Sequence, residues 1–123
     1  MRPARDAGGS GQWAEDRAAA QLEQAGLQLL ARNYRCRSGE IDLVAAEGKA
    51  LVFVEVRYRR RSGYGNAAES IDHRKQKRII DSAHHFLQAH ARYRQFDCRF
   101  DVILLSGEEA EPRMEWIRNA FQA

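Results

Sequence analysis

The sequence predicts an α/β domain, a single mixed β-sheet flanked by helices. Two adjacent β-branched, apolar runs, Ile41 to Ala46 and Leu51 to Tyr58, supply the first observation. Helical apolar spacing on both sides of them supplies the second, and a further strand-like run after the second helix the third. A chain of 123 residues suits one domain, and 44% hydrophobic residues with only 9 Gly and 2 Pro can bury a core.

Residues 1–12 carry basic side chains with Gly8, Gly9 and Gly11 and have no apolar run. They are expected to form a flexible basic arm, leaving 13–123 as the folded domain. The same stretch does not read as a secretory signal, so the cytoplasm is the expected compartment. No segment approaches the ~18 to 20 apolar residues of a membrane span, which excludes an integral membrane helix. Cys36 and Cys98 show no C-x-x-C or Cys/His spacing, which argues against a zinc site and a disulfide framework.

Ala14, Ala18, Leu22 and Ala25 follow helical spacing and Gly26 stops the pattern, so Trp13 to Ala25 is the first helix. Leu27 to Tyr34 is a short strand. Ile41–Ala46 and Leu51–Tyr58 form a hairpin around Glu47-Gly48-Lys49. From the N-cap Asp72 to Ala91, a stripe of Ile79, Ile80, Ala83, Phe86, Leu87 and His90 predicts a long amphipathic helix. Arg99 to Leu105 and Arg113 to Ile117 are the last strands. The order is α-β-β-β-α-β-β, with no internal repeat.

A two-residue loop at Gly48-Lys49 would set Val44 opposite Phe53, Asp42 opposite Glu55 and Glu40 opposite Arg57 on one face. Ile41, Leu43, Ala45, Val52, Val54 and Val56 would then fill the other face as core. Opposed carboxylates destabilise a strand pair, so Asp42 and Glu55 need compensation. One compensator is Arg57, within a charge cluster that includes Glu40. The other is a divalent cation, because two carboxylates about 5 Å apart offer hard oxygen ligands of the kind that hold magnesium.

These residues carry a resemblance. Gly39-Glu40-Ile41-Asp42-Leu43-Val44 and Val52-Phe53-Val54-Glu55-Val56-Arg57 resemble the D-x(n)-E-x-K signature of the restriction-endonuclease-like superfamily. Together with Gly11-x-x-x-Glu15, Arg32-Asn33-Tyr34, Lys75 and Arg99-Phe100-Asp101-Val102, the chain resembles the bacterial YraN-like family of predicted endonucleases. That family is similar to archaeal Holliday-junction resolvases.

The resemblance implies a nuclease centre in which Asp42 and Glu55 bind Mg2+ or Mn2+, with the Val56 carbonyl as a further ligand and Glu15 assisting from the first helix. It implies hydrolysis of phosphodiesters without a covalent intermediate, and a homodimer would suit two-fold junctions. The departure is Arg57, where the signature has Lys. Arginine keeps its proton and cannot act as a general base, but its fork can hold a phosphate. Lys75, on the inward stripe of the second helix, is the candidate substitute.

The charge is uneven. Residues 57–99 carry 11 basic and 4 acidic side chains, against 7 and 8 before them and 2 and 5 after. This basic block suits a nucleic-acid partner, DNA rather than RNA, or a solvated charged face. Arg59, Arg60 and Arg61, with Tyr64, form a loop that could grip phosphates and stack on bases, joined by Arg74, Lys77 and Arg78. The expected activity is a metal-dependent nuclease on branched or structured DNA. Its rival is a non-catalytic nucleic-acid-binding module on the same fold.

Overall fold

A computed structural model describes residues 11–60 and 71–123. The first helix, α1, spans Gly11–Gln24, and three strands follow: β1 Gln28–Cys36, β2 Gly39–Glu47 and β3 Ala50–Arg59. Helix α2, His73–Ala89, runs into a 3-10 turn at Ala91–Tyr93, and β4 Asp97–Ser106 and β5 Arg113–Phe121 complete the chain. The five strands form one sheet in the order β1-β2-β3-β4-β5, antiparallel throughout except for the parallel pair β3 and β4. That parallel step requires a crossover, and α2 lies within it. The predicted fold class and element order are those observed. None of the described helices is long and apolar enough to cross a membrane.

The two helices cover opposite faces. Ala14, Ala18 and Leu22 of α1 pack on Leu43, Ala45, Val52, Val54 and Val56. Ile79, Ala83 and Phe86 of α2 pack on Ile41, Val44, Phe53, Phe100 and Val102. Leu22, Leu43, Phe53 and Val54 are almost wholly removed from water, each contributing on the order of 2 kcal/mol of apolar transfer.

Local chemistry sets most boundaries. Gln12 donates to Asp16 one helical turn on, so Gly11 and Gln12 belong to α1 and not to the basic arm expected over 1–12. Asp72 caps α2 as anticipated, its carboxylate accepting from the Lys75 amide at 2.8 Å. Gly48, at φ +60°, makes the tight turn, and Glu47 pairs with Ala50 across the two-residue loop. Val44 faces Phe53 as expected.

The register departs from expectation beyond that point. The β2–β3 ladder ends at Leu43 with Val54, so the pairs Asp42 with Glu55 and Glu40 with Arg57 do not form as strand partners. Ile41 joins the α2 core rather than the face that alternation would have it share with Leu43, Ala45 and Val54, which packs on α1. The cause is a local rotation shared by two strands. In β1 and β2, Arg32 pairs with Leu43 and Tyr34 with Ile41, leaving Asn33 and Asp42 between them. Arg32 bonds to α1 and Leu43 packs there, whereas Tyr34 and Ile41 pack on α2. Strict alternation would have kept all four on one face. Asn33 takes up the difference with φ +54°, a left-handed conformation that Asn tolerates better than most residues.

β5 extends to Phe121 rather than ending at Ile117, because a second left-handed residue, Asn119 at φ +54°, lets pairing resume at Phe100 with Phe121.

Candidate metal and phosphate site

The rotation at Asn33 and Asp42 builds the site. Asp42 is 2% exposed, and its Oδ2 accepts from the Val56 amide at 2.8 Å. A side chain thus takes over where the backbone ladder stops. The amide belongs to the peptide that joins Glu55 to Val56, so the Asp42 carboxylate lies against the residue pair named by the sequence signature. Glu55 is 5% exposed and projects from β3 towards α2. Its Oε2 lies 3.4 Å from Lys75 Nζ and 3.7 Å from an Arg57 guanidinium nitrogen. Both cations are about one-third exposed, so the carboxylate is sheltered while its partners reach solvent.

The expected Glu40–Arg57 pairing is redistributed. Glu40 forms an ion pair with Arg35 across β1 and β2 at 3.6 Å, while Arg57 turns to Glu55. Lys75, the first-turn lysine of α2, does reach a carboxylate, which accounts for a charge on an otherwise inward stripe.

Glu15 is fully buried on α1, one turn in from its start, with Arg32 3.9 Å from it; the same guanidinium nitrogen is 2.6 Å from Asp16. Among the described residues, no group of three or more His, Cys, Asp or Glu side chains is placed to hold a metal ion. The pair Asp42 and Glu55 suits a hard divalent cation, because magnesium is commonly held by one or two carboxylates plus water and phosphate oxygens. Asn33, left with Asp42 between the same two strand pairs, has an Oδ1 that is shielded from solvent and accepts no hydrogen bond. In the sequence Asn33 stands out only as part of the Arg32-Asn33-Tyr34 motif. The usable signal was an Asn inside a strand-like run, a residue that favours turns over strands.

Of the basic residues, Arg60, Arg74, Lys77 and Arg78 are exposed and Arg59 is half-buried. Arg74, Lys77 and Arg78 share α2 with Lys75, and Arg59 and Arg60 continue the strand that carries Glu55. Lys77 is bonded to Asp81 one turn on at 3.1 Å. Arg61 and Tyr64 lie outside the described residues, as do the first ten residues of the expected arm. Tyr58 packs edge-on against Trp13 and donates to the Gly107 carbonyl, pinning the β4–β5 turn beside the end of β3.

Comparison with known proteins matches residues 14–105 to the uncharacterised protein family UPF0102. A UPF0102 protein of Stutzerimonas stutzeri is 50% identical over 114 residues, spanning 93% of this chain and 95% of the relative. A UPF0102 protein of Pseudomonas aeruginosa is 50% identical over 115 residues, with 92% of each chain covered. Similarity of this extent, over the same strands that build the site, shows that the chain belongs to family UPF0102, the YraN family.

Proposed function

We propose that the protein is a metal-dependent nuclease that hydrolyses phosphodiester bonds in DNA, with branched or structured DNA as its substrate class. The observation that carries this reading is the buried Asp42 carboxylate set on the Val56 amide, the residue next in sequence to Glu55, which is itself a buried carboxylate. Two buried acids on adjacent rigid strands are costly unless cations reside with them.

Asp42, Glu55 and the Val56 carbonyl would hold Mg2+ or Mn2+, whose Lewis acidity lowers the pKa of water and offsets charge on the scissile phosphate. Arg57 cannot take a proton from water, so its work is to hold a phosphate oxygen and stabilise transition-state charge. Lys75 contributes a second, point-like positive charge from α2. Glu15, buried on α1, would assist metal or water binding from the other face of the sheet. Arg59, Arg60, Arg61, Tyr64, Arg74, Lys77 and Arg78 would follow the phosphate backbone away from the site, a shape-reading rather than base-reading surface.

Calorimetry with Mn2+ and Mg2+ on the wild type and Asp42→Asn, with a branched-DNA cleavage assay on the same samples, tests the proposal. Metal binding and cutting that are both lost in the variant support it; a wild type that binds neither ion, with or without DNA, overturns it. One observation favours a second reading, a non-catalytic nucleic-acid-binding module. Arg57 and Lys75 already flank Glu55 and could neutralise the acid pair without metal. That module would bind DNA with a steep salt dependence and lose affinity only when the basic residues are changed.

A further inference from the structure

Asn33 stands out among the residues that the proposed chemistry leaves unused. It is the residue left opposite Asp42 when β1 and β2 rotate, between the pairs Arg32 with Leu43 and Tyr34 with Ile41. Residues facing each other on adjacent strands bring their Cβ atoms to within about 5 Å. Its backbone is left-handed, a conformation that glycine would adopt more readily, so the backbone alone does not call for an amide side chain. Its Oδ1 is removed from solvent and accepts no hydrogen bond. Buried polar atoms almost always have a partner, and each exception calls for one supplied by something else.

The other left-handed asparagine shows what a purely structural version looks like. Asn119 lies in the strand beside Asp101 and meets that carboxylate through its backbone amide, which donates to Asp101 Oδ1 at 2.8 Å. The side chain is not needed for that contact. In the first region the amide bonded to the aspartate comes from Val56 instead, and the carbonyl oxygen of the Asn33 side chain is left to act on something else.

We infer that Asn33 is a positioning residue of the metal site: its Oδ1 accepts a hydrogen bond from a water of the divalent ion's hydration shell, beside Asp42. The inference rests on the proposed metal site and adds to it a specific acceptor. A neutral oxygen there orients the water without adding a third negative charge to the two carboxylates. Outer acceptors of this kind tune affinity because they fix the orientation of groups on the ion.

Asn33→Gly keeps the left-handed backbone and removes the amide. Asn33→Asp keeps the oxygen and adds charge. Asn119→Gly is the matched control at the other left-handed position. Mn2+ affinity measured by calorimetry should fall about tenfold in Asn33→Gly, rise in Asn33→Asp and stay unchanged in Asn119→Gly, with thermal unfolding confirming that each variant is folded. Should Asn33→Gly fail to fold, the Asn33→Asp comparison decides. The inference is overturned if the wild type binds Mn2+ and both Asn33 variants bind it equally well. A wild type that does not bind Mn2+ at all overturns the metal site itself, a different result that brings Asn33 down with it.

Discussion

Two aspartates are buried in adjoining parts of one sheet, and the protein treats them differently. Asp101 in β4 is fully enclosed and accepts from the Arg99 Nε at 3.0 Å, the Trp116 indole at 2.9 Å and the Asn119 amide at 2.8 Å. Arg99 also reaches Glu47 at 2.8 Å, so one guanidinium serves two carboxylates. Asp42 in β2 is nearly as buried and also sits beside a left-handed asparagine. Its Oδ2 accepts from the Val56 amide, next in sequence to the buried Glu55, and the cations near Glu55 stand at 3.4 and 3.7 Å with a third of their surface in water. A left-handed asparagine thus accompanies both aspartates, within an unshifted register at Asn33 and at a bulge at Asn119, and the two serve different ends. Where the aspartate is surrounded by fixed donors it fastens an edge strand. Where its bonded amide adjoins a second acid with solvent-reaching cations, it is suited to bind.

The largest expected effect breaks the structural side of this contrast. Asp101→Ala leaves the Arg99 charge, the indole N–H and the Asn119 amide without their acceptor. It should cost about 3–5 kcal/mol in chemical denaturation, the range for removing one member of a buried ion pair. Asp42→Asn should do the opposite. It retains an oxygen for the Val56 amide and removes a buried negative charge, so stability should hold or rise. Cleavage in a single-turnover assay should fall at least about 10²-fold, the scale of losing a transition-state contact. If Asp42→Asn is the more destabilising of the two, the contrast collapses and the first cluster is structural as well.

Lys75 sharpens the comparison at smaller magnitude. Lys75→Ala should reduce cleavage about tenfold and Lys75→Arg should recover most of it, because a positive charge rather than a proton acceptor is needed beside Glu55. Rescue failing with arginine while binding persists would assign Lys75 a proton-transfer role.

The smallest effect concerns pH. The Arg99 guanidinium hydrogen-bonded to Glu47 holds that carboxyl below the usual glutamate range, helped by the positive charges of Arg99 and Arg118 and opposed by burial. A carboxyl whose pKa is lower in the folded state contributes stability that is complete above its unfolded value, about 4.3. That contribution fades as pH falls from there through the lowered folded value. Glu47→Gln should therefore flatten the acid limb of a denaturation-midpoint profile between about pH 5 and 3 without changing it near neutrality. Because Glu47 is more than one-third exposed, the effect should be modest.

Much of this was legible in the chain. The hairpin turn, the Asp72 cap and the apolar stripe of α2 all follow from residues close in sequence, and they are found where expected. The strand carrying Glu55 and Arg57 was legible for the same reason, and so was Lys75, whose inward position on a helix is a matter of periodicity. What could not be read was the partnership of each charge. Glu40 goes to Arg35, and Arg99, Trp116 and Asn119 converge on Asp101 from two strands. These choices depend on residues brought together only when the sheet closes.

The sequence by itself determined the order of elements, the tight Gly48-Lys49 loop and the chemical identity of the acid pair, because short-range sterics and periodicity act within a few residues. Only the tertiary structure decided that alternation breaks between Leu43 and Ile41 and that the Asp42 side chain supplants a ladder bond to Val56. The reason is that two helices on opposite faces each claim one of these apolar neighbours. The sheet can satisfy both only by rotating at Asn33 and Asp42, a compromise between distant packing surfaces that a local pattern does not contain.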